Sequence, residues 1–212
     1  HRATIASRFD AMSSRRRFLV FAAALAASPA LAQAPGPVRV ALTTAEGVIV
    51  LELYPDKAPI TVANFLRYVE ARKYDGAEFY RASRPPGATD ADYGLLQGGI
   101  RNPEVAQFPA IAHEPTTKTG LSHTDGTIAL GRFAPGTAKS DFFICVGDQS
   151  YLDANPKASG DNQGFAAFGK VVEGMETVKK ILALPVDPNK GTGAMKGEIL
   201  KAPVRIVTAR RM

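Results

Sequence analysis

A chain of 212 residues, 45% of them hydrophobic, is long enough to bury one substantial core and short for two. Its formal charge of +6 invites a nucleic-acid reading. Yet five of the 26 basic side chains and one of the 20 acidic ones lie in residues 1–32, leaving 21 against 19, with no Lys/Arg cluster interleaved with aromatics. A phosphate-binding face is therefore not expected, and with Cys145 the only cysteine an internal disulfide is excluded.

Met12 opens a segment with a basic Arg15-Arg16-Arg17, an apolar run from Phe18 to Ala27 and then Ala30-Leu31-Ala32. This is the pattern of an export signal, and its apolar run is too short to span a bilayer. Cleavage is expected after Ala32, because a cut after Ala34 would put Pro35 beside it. Ser14-Arg15-Arg16-Arg17-Phe18-Leu19 resembles a twin-arginine signal, with an Arg-rich general secretory leader as the alternative. Residues 1–32 are thus an N-terminal extension plus signal peptide, residues 33–37 an Ala/Pro/Gly linker, and residues 38–212 the domain. A periplasmic chain without stable membrane insertion is the expectation.

The domain opens with strand signals. Alternation over 38–42, a Glu46-Gly47 turn and a second apolar run over 48–53 predict a hairpin. Pro59-Ile60-Thr61 then starts a helix whose Val62, Phe65, Leu66 and Val69 share one face. Strands are expected over 78–82, 95–98, 127–132, 142–146 and 165–172. A second helix near 175–182 turns Met175, Val178, Ile181 and Leu182 inward, and a final strand pair is expected at 198–200 and 204–208. Many short strands with Gly/Pro joints and two helices argue for an all-β barrel or sandwich with helical caps. The long polar loops over 84–94 and 153–164 are candidates for function.

Familiar chemistries find little support. His113-Glu114 begins like a zinc-protease motif, but Pro115 breaks the helix and Thr117 stands where the second histidine belongs. Neither a G-x-S-x-G elbow nor a G-x-x-x-x-G-K-[ST] phosphate loop occurs. Cys145, within Phe142-Phe143-Ile144-Cys145-Val146, reads as a small buried hydrophobe.

What remains is an ordered series: Phe79-Tyr80-Arg81, Leu96-Gln97-Gly98-Gly99, Gly126-Thr127-Ile128-Ala129-Leu130, Ser140-Asp141-Phe142-Phe143-Ile144, Tyr151-Leu152-Asp153, and Phe168-Gly169-Lys170-Val171-Val172-Glu173-Gly174-Met175. In order and spacing, over residues 38–208, the chain resembles the cyclophilins. That resemblance implies an eight-stranded antiparallel barrel capped by two α-helices, with a substrate groove on the outer face. It implies peptidyl-prolyl cis/trans isomerase activity on proline-containing polypeptide clients, with no cofactor or metal, and a monomer is expected. By resemblance Arg81 is the catalytic donor, Gln97 orients it, and Phe143 floors a proline pocket walled by Leu95, Leu152 and Phe165. Gly131 and Arg132 would edge the groove. A cyclophilin-fold Pro-peptide-binding module with little turnover is the alternative.

The series departs from the family at groove positions. Tyr80 stands where many members have His, Asp141 for Gln, Arg132 for Asn, Tyr151 for Trp and Phe165 for His. Two ion pairs are open to Asp141: one with Arg132, which would compensate both changes, and one with Arg81, which would tie up the donor.

Overall fold

The computed structural model describes residues 36–88 and 91–212. The expected signal peptide, the cleavage site expected after Ala32 and the first residues of the expected linker lie outside the described residues. The chain runs through β1 (Val38–Thr44), β2 (Gly47–Leu53), α1 (Pro59–Glu70), β3 (Glu78–Ser83), β4 (Gly94–Gly99), a four-residue α2 (Thr116–Thr119), β5 (Thr127–Leu130) and β6 (Phe142–Val146). It continues with β7 (Ala166–Glu173), α3 (Met175–Leu182), β8 (Val186–Asp187) and β9 (Ile199–Arg211), and 3-10 turns at Ser150–Leu152 and Gly193–Met195.

All pairings are antiparallel, in the order β1-β2-β7-β5-β6-β4-β3-β9, and β1 pairs with β9 to close the sheet. Closure leaves eight strands in the barrel and removes its edges. The two-residue β8 adds outside the ring, against Ile199 and Leu200 of β9. Residues 199–200 and 204–208 therefore belong to one long strand rather than to the expected pair, and Glu198 lies just before it. β9 serves β3 first and β1 later, so its two halves have different partners.

Strand alternation fills the interior. Val40, Leu42, Ile49, Leu51, Ile128, Leu130, Phe142, Ile144 and Phe168 point into one fully buried core. Helix α1 lays Val62, Phe65 and Val69 on it, with Leu66 partly buried, and Phe65 meets Phe142 edge-on at 5.6 Å. Helix α3 buries Val178, Ile181 and Leu182, while Met175 packs at the margin.

Ala58, the residue that precedes helix α1, has no side-chain oxygen to cap the free N–H groups. Glu114, buried in a loop far along the chain, does this instead. Its carboxylate accepts the Ile60 N–H at 3.2 Å, the Thr61 N–H at 2.8 Å and the Thr61 hydroxyl at 2.7 Å. Negative charge at a helix N-terminus is favourable, so the His113-Glu114 pair belongs to the scaffold rather than to zinc chemistry.

Candidate active site

The site begins with a parity fault in β3. Phe79 and Ala82 both reach the barrel core although they are three positions apart, a step that regular alternation sends to opposite faces. The ladder to β4 shifts register between Phe79 and Arg81, leaving Tyr80 as an extra residue, and at the same place the ladder to β9 jumps from Val204 to Ile199. This bulge sets Tyr80 and Arg81 next to each other on the outer face.

From Arg81 a row crosses the barrel. Arg81 pairs with Gln97, Gln97 with Phe143, Phe143 with Ala129 and Ala129 with Ala167. Neighbouring strands lie about 4.8 Å apart, so an arginine, a glutamine and a phenylalanine stand in file. Phe142 and Phe143 divide as alternation requires: Phe142 joins the barrel core, and Phe143 joins an outer cluster with Ala129, Cys145 and Ala167. Small Ala129 and Ala167 leave the space that the Phe143 ring occupies. Leu95, Leu152, Leu121 and Phe165 pack against this cluster, with Phe165 edge-on to Phe143 at 5.3 Å. The expected apolar floor and walls are therefore together.

Arg81 is held on several sides. Its Nη1 donates to Gln97 Oε1 at 2.8 Å, its Nε donates to Glu198 Oε2 at 2.8 Å, and its Nη2 lies 2.6 Å from that same oxygen. With Gln97 Oε1 accepting from arginine, its Nε2 must donate, and it does so to the Tyr80 hydroxyl at 2.6 Å. Tyr80 in turn donates to Asp141 Oδ2 at 2.8 Å. The result is one connected chain in which Arg81 donates to Glu198 on one side, while on the other Arg81, Gln97 and Tyr80 each donate onward to end at Asp141. Burial pushes the Asp141 carboxyl up from its ordinary range, against the Tyr80 hydroxyl and the nearby Arg101. Burial, with Asp141 beside it, also raises the Tyr80 phenol, which keeps it a donor. Arg101 lies over the Tyr80 ring at 4.5 Å.

Neither pairing open to Asp141 in the sequence occurs. Arg132 donates to both Asp161 carboxylate oxygens, at 2.5 and 3.0 Å, and to the Gly164 carbonyl, and it covers the Phe165 ring at 5.1 Å. It therefore ties the 153–164 loop to the groove wall. Asp141 instead fits against Gly99, where any Cβ would lie 2.1 Å from Oδ1. The second glycine of the Gly98-Gly99 pair makes room for this carboxylate. Gly131 donates its N–H to the Asp141 carbonyl at 2.8 Å and lines a cavity of about 600 Å³ beside the row, with Tyr80, Gln97, Arg132, Phe133 and Asp141. Tyr151 is 70% exposed and lies outside the Phe143 cluster.

Two groups went unread in the sequence. Glu198 follows a Lys196-Gly197 step and carries no motif; only the β3–β9 pairing brings it to Arg81. His123 lies fully buried, stacked on Phe143 at 5.9 Å. Its backbone N–H and its Nδ1 both meet Asp153 Oδ1, at 3.0 and 2.5 Å, and Ser122 adds a hydroxyl to the same carboxylate. Its Nε2 has no hydrogen-bond partner among the described residues. The Cys145 thiol is pushed up to about 12 by burial, as an unreactive hydrophobe would be.

Burial holds the His123 imidazole below its ordinary 6.5, and Asp153 only partly offsets this. A depressed folded-state value means that the unfolded chain takes up the proton first. Stability from the neutral ring is thus complete above about pH 6.5 and falls as pH drops toward the folded value. Thermal unfolding followed by circular dichroism is expected to show this decline as the pH falls below about 6.5. In His123→Asn, whose amide can still donate to Asp153, the decline should be shallower; an equally steep one would reject the assignment.

Together the row offers a fixed cationic donor beside an apolar depression, an arrangement suited to holding a ring and acting on the amide attached to it. The family model described as cyclophilin type peptidyl-prolyl cis-trans isomerase/CLD matches residues 39–210. A peptidyl-prolyl cis-trans isomerase of Acinetobacter baylyi is 34% identical over 172 residues, covering 81% of this chain and 84% of that protein. Peptidyl-prolyl cis-trans isomerase A of Dickeya dadantii is 38% identical over 158 residues, covering 73% of this chain and 75% of its own. In three dimensions, a Cryptosporidium parvum cyclophilin type peptidyl-prolyl cis-trans isomerase superposes with a TM-score of 0.61 at 18% identity, covering 83% of this chain and 98% of that one.

Proposed function

Because this chain belongs to the cyclophilin-type peptidyl-prolyl cis/trans isomerases, we propose that the row from Arg81 to Phe143 is its catalytic groove. We further propose that it acts on proline-containing segments of proteins folding in the cell envelope. The observation that carries the first point is the adjacency of an anchored guanidinium, with an N–H to spare, to the Phe143 depression.

Rotation about a peptide bond faces a barrier of about 18–20 kcal/mol, which resonance between nitrogen and carbonyl creates. At the top of that barrier the amide is twisted, and the prolyl nitrogen is pyramidal and basic. A donor aimed at this nitrogen stabilises the twisted state more than either planar isomer. Arg81 supplies the donor. Phe143, Leu95, Leu152 and Phe165 hold the proline ring, so that rotation carries the preceding residue rather than the ring. Gln97 keeps Arg81 in place through Oε1, and Gly131 and Arg132 form the groove edge that pairs with the substrate main chain.

The envelope reading is supported by the basic, apolar and A-x-A order over Arg15–Ala32 of the sequence. Replacing both Arg15 and Arg16 with lysine should stop export if the twin-arginine route is used; unaltered export points to the general route.

The decisive experiment is exchange spectroscopy on a short X–Pro peptide with the domain over residues 33–212. Cis/trans exchange should accelerate at substoichiometric protein. Binding without acceleration would leave a Pro-peptide-binding module instead.

A further inference from the structure

From the geometry around β9 we infer that Glu198 is a positioning residue for Arg81, presetting the guanidinium with one donor left toward the groove. This inference rests on the isomerase reading above and names a part of that site which the sequence series does not contain.

Glu198 is itself fixed at both ends. Its carbonyl accepts the Ala82 N–H at 2.9 Å, which locks its backbone one residue beyond Arg81 on β3. Its Oε1 accepts the Ser83 hydroxyl at 2.7 Å. Ser83 lies two residues from Arg81 on the same strand and therefore faces the same side. That leaves Oε2 for arginine, where it takes the Nε donor at 2.8 Å and lies 2.6 Å from Nη2. The pair is shielded, with 15% of the Arg81 side chain and 24% of the Glu198 side chain exposed.

The allocation of protons follows. Arginine carries five N–H groups in one plane. Glu198 engages the Nε edge, the Ala194 carbonyl lies 3.4 Å from Nη2, and Gln97 takes one proton of Nη1. The second Nη1 proton has no partner among the described residues. Nη1 is the nitrogen on the Gln97 side, and Gln97 stands between Arg81 and Phe143 in the row. The carboxylate thus grips the edge away from the groove and leaves a donor on the edge toward it.

A carboxylate beside a cationic donor could instead act as a brake by neutralising it. Arginine stays protonated in such a pair, and a donor that meets charge developing during reaction depends on being fixed beforehand. The anchoring effect therefore prevails over the loss of field.

The test compares the 33–212 protein with its Glu198→Ala and Glu198→Gln variants, by peptide exchange kinetics and by the Arg81 Nε–H resonance. Glu198→Ala should lower kcat about tenfold with little change in KM, since the donor acts in the transition state and not in ground-state binding. Its Nε–H signal should broaden into solvent exchange. Glu198→Gln keeps an oxygen for arginine and an amide for Ser83, so it should recover most of both. A folded Glu198→Ala protein with parental or higher kcat, a loss confined to KM, or a Gln variant as slow as the Ala variant would overturn the inference. Should the Ala variant not fold, Ser83→Ala serves in its place, with a smaller fall in kcat expected and an unchanged rate counting against. An inactive parent would reject the isomerase reading, and the Nε–H signal of Arg81 in parent and variants would still decide whether Glu198 holds it.

Discussion

Arg81→Ala is expected to lower kcat/KM for an X–Pro peptide about 100-fold while the barrel stays folded. A hydrogen bond from a charged donor contributes about 1.5–3 kcal/mol net, which is one to two decades in rate. The upper end applies because the donor is largely shielded and already held by Gln97 and Glu198. Loss of the guanidinium leaves the Glu198 carboxylate with Ser83 and water, so the melting midpoint should fall by no more than a few degrees. Arg81→Lys keeps a positive charge but lacks the planar fork that engages Glu198 and Gln97 together. It should therefore remain at least about tenfold slower than the parent, one decade being about 1.4 kcal/mol. A lysine variant with parental activity would show that charge alone suffices, and an alanine variant within threefold of the parent would remove Arg81 from the mechanism.

Phe143→Ala is the second large effect, and comparison with Phe142→Ala separates site from core. Both rings are nearly or fully buried, at 4% and 0% exposure, on opposite faces of β6. Phe142 meets Phe65, Tyr74 and Phe79 edge-on at 5.6, 5.7 and 5.7 Å. Its truncation should cost about 4–5 kcal/mol, near the top of the range for buried aromatics. Phe143 has fewer neighbours and lies on the outer face, so about 3 kcal/mol is expected, or a midpoint lower by roughly 6–12 °C. The activities should rank the other way. Well below both midpoints, Phe143→Ala loses the floor beneath the proline ring and should raise KM at least tenfold, whereas folded Phe142→Ala should keep its KM. Equal KM values for the two would show that Phe143 is not the floor. The Phe143 variant should also be less sensitive to acid than the parent, because opening the cluster lets water reach His123 Nε2.

Much of this arrangement was legible in the residues alone. Alternation over 142–146 separates Phe142 from Phe143 before any pairing is known, because successive side chains on a strand must take opposite faces. The apolar spacing of Val62, Phe65 and Val69 likewise identifies the inner face of α1. Pattern failed where neighbours in space are distant in sequence. The four-residue α2 is too short to show a period, and β9 reads as two strands because one strand exchanges partners midway. At β3, alternation alone would have sent Arg81 inward with Phe79; the bulge at Tyr80 turns it out.

The charged groups show the same division. Asp141, Arg132 and Arg81 could be paired on paper in two ways, and the folded chain uses neither, because Asp161, Glu198 and the Tyr80 hydroxyl arrive from other strands and loops. Strand period pointed to an all-β barrel or sandwich, and ordered local motifs carried the resemblance that groups Arg81, Gln97 and Phe143 in one series, since both are short-range properties. Tertiary structure alone decided that Arg81 is clamped by Glu198 and that Asp141 ends a hydrogen-bonded chain. Register and bulges bring these groups together across 117 and 61 residues, and no local periodicity encodes a contact at such separations.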